Sequence, residues 1–160
     1  MKIKMKSNFS IRGSYRIKTF HAGTKELLRQ TEWIPNLIML NENRGLYIIL
    51  SRLIGALTYD LPITQAKIGD DDTPPTINDT DLGNPVVSGI AVAQRQRIAD
   101  DEIMITFFIN DSELPDGDYK EFGIFADDQL FARSLIVPTY SKSTGEDTQI
   151  DYTLTAEPTA

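Results

Sequence analysis

Residues 66–83 read Ala66-Lys67-Ile68-Gly69-Asp70-Asp71-Asp72-Thr73-Pro74-Pro75-Thr76-Ile77-Asn78-Asp79-Thr80-Asp81-Leu82-Gly83, and neither a helix nor a strand continues through them. Pro74 and Pro75 remove two backbone donors, and each pushes the residue before it into an extended conformation. The aspartates, the threonines and Asn78 carry short polar side chains that bond nearby backbone in turns and caps. Ile77 and Leu82 are the apolar points able to pin such a loop to a core. A helix-bearing half precedes the stretch and a strand-rich half follows it, so it reads as the joint between them.

Downstream, Pro85–Ala99 and Glu102–Asp111 alternate in character and are separated by Asp100-Asp101, which predicts an antiparallel hairpin. On its second arm Ile103, Ile105, Phe107 and Ile109 share one face, with Met104, Thr106 and Phe108 on the other. Leu114-Pro115-Asp116-Gly117-Asp118 is a turn. Strands are expected over Tyr119–Ala126 and Gln129–Val137, joined by Asp127-Asp128 and stopped by Pro138. A polar loop over Tyr140–Asp147 then leads to a last strand, Thr148–Thr155.

Upstream, Ile63–Ile68 reads as a short strand entering the joint. Asn41–Leu57 reads as a helix, with Leu46, Ile49, Leu50, Leu53, Ile54 and Leu57 on one face and Asn41 or Asn43 as its cap. That stripe suits a helix plugging a sheet, or a seam between subunits. Before it, Phe9, Ile11, Tyr15 and Ile17 mark a half-exposed strand with a bulge at Gly13. Lys25–Trp33 returns as its partner, forming a hairpin over 8–33 that Pro35 ends. The sum is one domain over 1–160: the hairpin, the helix at about 41–57 and a β-rich half over 63–156. The fold class expected is mainly β, an antiparallel β-sandwich of about seven or eight strands with one packed α-helix.

Composition narrows the function. With 41% hydrophobic and 24% charged residues, the chain has the makeup of a globular domain rather than a disordered one. Its net charge of −7 argues against a sequence-independent grip on nucleic acid. No apolar run approaches the roughly 20 residues that a membrane-spanning helix needs. The basic start, Met1–Asn8, lacks the apolar segment and cleavage site of a signal peptide. The absence of cysteine removes disulfides and thiolate metal sites.

Candidate chemistry is sparse. Asp70, Asp71, Asp72, Asn78, Asp79 and Asp81 offer oxygen ligands of the kind calcium takes, but their spacing does not match a calcium-binding loop, and adjacent aspartates do not converge on one ion. Turn and cap formation is the reading preferred for them. His21, the only histidine, sits in a turn with no nucleophile motif to serve. Glu121 is placed either in a groove, as one of a pair of glycosidase carboxylates, or across from Arg133 as an ion pair; the second is preferred. Trp33 beside Ile34 and Pro35 reads as core rather than as a platform for stacking a sugar. No catalytic, cofactor or metal set emerges.

Several fragments, in order, resemble motifs of bacteriophage tail-fibre, tail-collar and baseplate-associated structural proteins. Ile68-Gly69-Asp70, Thr73-Pro74-Pro75 and Asp79-Thr80-Asp81-Leu82 resemble that family's strand-and-loop segment. Glu121-Phe122-Gly123-Ile124-Phe125 resembles its E-x-G-(L/I)-(F/Y) strand, and Leu130-Phe131-Ala132-Arg133 its L-x-A-R strand. Trp33–Ile38 resembles a segment that precedes its helix, so the likeness spans about residues 33–155. It implies a non-enzymatic virion protein without cofactors, made in the host cytoplasm. Such a protein is a tail, baseplate or collar component or adaptor, assembled with copies of itself and other phage proteins. Arg12 and Arg16 on the basic hairpin, and Asp70, Asp71, Asp72, Asp79 and Asp81 on the acidic loop, are the candidate assembly surface. A head decoration or neck protein, or a carbohydrate-binding β-sandwich, are the alternatives.

Overall fold

The computed structural model describes residues 8–56 and 62–159. Its elements are β1 (Asn8–His21), β2 (Leu27–Gln30), β3 (Ile34–Ile38), β4 (Leu40–Asn41), β5 (Arg44–Gly45), α1 (Leu46–Leu53), β6 (Gln65–Gly69), β7 (Pro85–Ala99), β8 (Glu102–Ile109), β9 (Gly117–Ala126), β10 (Gln129–Lys142) and β11 (Glu146–Thr159). The chain is mainly β, with every strand pairing antiparallel.

The expected sandwich is replaced by a barrel. Strand order runs β11-β8-β7-β6-β9-β10-β3-β1, and β1 then pairs with β11, closing eight strands on themselves; β2 is appended to β1. The closing ladder is long and free of register shifts, from Asn8↔Thr159 to His21↔Glu146. Sandwiches and barrels both alternate inward apolar and outward polar residues, so the strand pattern is the same for either. What separates them is this pairing of the two ends of the chain.

The interior is filled by side chains. Tyr15, Ile17, Phe107, Phe122, Ile150 and Tyr152 are essentially inaccessible to solvent. Phe122 packs at 4.8 Å from Tyr15 and 6.0 Å from Phe107, in the tilted and edge-on arrangements that aromatic rings favour. The β7–β8 hairpin forms as expected around Asp100-Asp101, and Asp127 takes the left-handed conformation (φ 55°) at the β9–β10 turn.

Both proline stops are corrected. Pro35 lies inside β3, opposite Ser14 of β1, while β10 pairs with β3 only at Leu37 and Ile38, so no ladder donor is demanded of the proline. Pro138 sits in an exposed bulge between Leu135 and Tyr140, after which β10 resumes pairing with β9. The polar loop expected over 140–147 is mostly strand: the Tyr140 hydroxyl is buried at 2.8 Å from Thr148 Oγ1 and 3.0 Å from Thr19 Oγ1. Gly13 makes no bulge; a side chain there would collide with the Tyr152 hydroxyl and the Asn36 amide.

The helix is shorter and turned. It spans Leu46–Leu53, Leu57 lies outside the described residues, and Asn41 and Asn43 do not cap it. They shape the tight β4–β5 hairpin instead, Asn43 with φ 65°, and Gly45 (φ 56°) precedes the first turn. Ile48 is buried and Ile49 packs on the core, whereas Leu50, Leu53 and Ile54 are 58%, 76% and 83% exposed. α1 therefore turns Ile48 and Ile49 toward the barrel core and leaves Leu50, Leu53 and Ile54 as an apolar face outward.

Candidate assembly surfaces

The joint between the halves lies as a strap over the outside of the barrel, clasped by one ion pair. Glu121 on β9 and Arg133 on β10 face outward from neighbouring strands, and both are buried. Arg133 Nε donates to Glu121 Oε2 at 3.0 Å, its Nη1 to Asp79 Oδ2 at 2.6 Å and its Nη2 to the Thr73 carbonyl at 2.9 Å. Glu121 also accepts the Gly83 and Asn84 amides at 2.9 and 2.7 Å. Below Leu82, Gly123 leaves the space: an added Cβ would stand 2.8 Å from Leu82 Cδ2. The expected Glu121–Arg133 pair is therefore present, and it anchors both ends of the strap.

The five aspartates divide within that strap. Asp79 accepts the Thr76 hydroxyl and amide besides Arg133. Burial works against its charge, but these bonds prevail and hold its pKa below the ordinary value. For Arg133, burial likewise opposes the charge and the bonds to Asp79 and Glu121 outweigh it, so its pKa rises. Asp71 caps the Thr73 amide at 2.6 Å, and hydrogen bonds from the Thr73 side chain and then its amide lower the Asp71 pKa. Asp70 accepts from the Asn84 side chain at 2.6 Å, and Lys67 pairs with Asp81 at 2.8 Å. Asp72 points to solvent, 3.5 Å from Lys120. Strap closure thus occupies Asp70, Asp71, Asp79 and Asp81, while the Asp72 side chain stays 79% exposed. Among the described residues no group of three or more His, Asp or Glu side chains is placed to hold a metal ion.

On the other flank, Arg12 pairs with Glu157 at the surface, across the β1–β11 ladder. Arg16 lies 3.5 Å from the buried Asp151 and stacks 4.7 Å from the Trp33 ring centroid. Lys18 reaches Asp151 at 3.0 Å. Burial opposes the Asp151 charge, yet Gln149, Lys18 and Thr106 keep its pKa low. Trp33 is 43% exposed rather than core, and the Arg16 guanidinium occupies one face of its ring. His21 Nδ1 accepts the Thr24 amide at 3.0 Å and shapes the β1–β2 turn.

One feature escapes the sequence reading, which leaves a second open between two readings. At one end of the barrel Lys142, itself buried, contacts Asp111 Oδ1 at 2.5 Å and Asp116 Oδ1 at 3.0 Å, tying the β8–β9 loop to β10. Burial opposes the lysine's charge, but the two aspartates raise its pKa. The lysine lowers that of Asp111, and Thr144 with Lys142 lowers that of Asp116. No spacing signals this cluster, because its members come from separate strand ends. The second feature is the outward apolar face of α1, where the sequence showed the stripe but not its direction.

Among the described residues, no helix is long and apolar enough to cross a membrane. Comparison of the chain with protein-family profiles, with curated proteins and with solved structures found no match to any of them.

Proposed function

We propose that the chain is a non-enzymatic structural protein of a bacteriophage virion, a tail, baseplate or collar component or adaptor that works by assembly. One observation supports this above others. The fragments that carry the resemblance lie far apart in sequence, yet Thr73, Asp79, Leu82, Glu121, Gly123 and Arg133 meet in one clasp. A shared architecture requires such motifs to act on one another, whereas a chance likeness does not. The outward Leu50, Leu53 and Ile54 add an apolar surface of the kind that partners cover in assemblies.

The test has two parts. Antibodies against the chain are applied to gradient-purified particles, by blotting and by immunogold labelling, and the mass of the isolated protein is measured by light scattering. The proposal expects labelling at one site on the tail and a defined trimer, hexamer or larger ring, or a monomer that forms such a ring with a tail protein. Absence from particles while the protein accumulates in lysed cells overturns it. Label confined to the head or neck overturns the tail assignment and selects the decoration or neck alternative.

A further inference from the structure

One end of the barrel opens into an apolar pocket of about 420 Å³. Its floor is made by Ile105, Ile124, Phe131 and Tyr152, which belong to the barrel core; Ile49 of α1 and Ile103 are among its walls. Arg95 and Arg97, both exposed on β7, also line it. Elsewhere on the barrel and its strap, each described lysine and arginine has a carboxylate within ion-pair distance. Among the described residues, Arg95 and Arg97 have none, and neither do Arg44 and Arg52 beside and within α1. Arg95 Nη2 donates to the Ile63 carbonyl at 2.7 Å, and Arg97 Nη1 to the Asp100 carbonyl at 3.0 Å. These bonds fix the two guanidinium groups without neutralising them, and other N–H donors remain on each.

We propose that this mouth binds a small amphiphile with a single alkyl chain and an anionic head, the chain in the pocket and the head on Arg95 and Arg97. The volume falls in the range of small-molecule sites, and an apolar wall with a few convergent polar groups is their usual makeup. Paired planar guanidinium groups suit a carboxylate or phosphate better than a neutral head. This reading stands apart from the virion proposal, since it rests on residues of one chain and not on an assembly.

The experiment uses the full chain with ¹³C-labelled isoleucine δ1 methyls, so that the Ile105 and Ile49 methyls report on the pocket. Octanoate, decanoate and 1-decanol are titrated below their micelle-forming concentrations. Expected are saturable shifts of the Ile105 and Ile49 methyls, affinity rising about fourfold per added methylene, and decanol at least about tenfold weaker than decanoate. The double variant Arg95→Gln/Arg97→Gln, checked for an unchanged melting temperature, is expected to lose the preference for decanoate. No shift of either isoleucine methyl overturns the site. Equal affinity for decanol and decanoate, or a preference that survives the double variant, overturns the role of the arginines. Sedimentation with phosphatidylglycerol vesicles separates the two sources of such a ligand. Retention that the double variant loses assigns a membrane lipid, and decanoate binding without retention assigns a free amphiphile.

Discussion

Replacing Arg133 with methionine tests the clasp directly. The change removes a buried guanidinium that bonds Glu121, Asp79 and the Thr73 carbonyl, and leaves Glu121 charged and wholly buried. Breaking one side of a buried pair typically costs about 3–5 kcal/mol, because the remaining charge is uncompensated. Glu121 keeps the Gly83 and Asn84 amides, which places the expected loss toward about 3 kcal/mol. For a chain of this size that corresponds to a fall in melting temperature of roughly 6–12 °C. Urea unfolding followed by circular dichroism measures the loss, and limited proteolysis reports whether cleavage appears within residues 70–84. The double variant Glu121→Met/Arg133→Met removes both charges, and it is expected to regain more than half of the loss. A single variant that loses less than about 1 kcal/mol, or a double variant no more stable than the single, would refute the view that this pair holds the strap.

Three further outcomes are expected. Asp71, Asp79, Asp111, Asp116, Glu146 and Asp151 all have native pKa values below their ordinary ones. Each binds fewer protons folded than unfolded, so its stabilisation is full above the unfolded value near 4 and disappears as pH falls through the native value. Melting temperature should therefore hold steady above about pH 5 and drop steeply below about pH 4; a melting temperature unchanged down to pH 3 contradicts this. Gly45→Ala puts a Cβ against the Met39 carbonyl at a positive φ, and should cost about 3 kcal/mol or more by urea unfolding, whereas Gly55→Ala meets no atom within 4 Å and pays only for its φ of 77°. Leu53→Glu with Ile54→Glu alters exposed positions, so monomer stability should stay within about 1 kcal/mol, while any assembly through α1 is lost in light scattering.

The sequence by itself determined the strand-rich character, the β7–β8 hairpin, the turns at Asp100 and Asp127, and the pairing of Glu121 with Arg133. These are local matters: alternation has a period of two, turn residues act on their own backbone, and neighbouring strands set cross-strand partners. Proline misled at positions 35 and 138, because its missing donor matters only where a neighbouring strand asks for it, and at both places none does. The aspartates of the strap were legible as turn formers, but which of them are bound within the fold and which is left to solvent depended on where Arg133 and Lys67 stood. Which side of the α1 stripe met the barrel depended on tertiary contacts: Ile48 and Ile49 reach the core, and Leu50, Leu53 and Ile54 do not. Only the tertiary structure decided that the sheet is a closed barrel. That choice rests on β1 meeting β11, a ladder between residues more than a hundred positions apart, and no local pattern records which distant edge a strand will find.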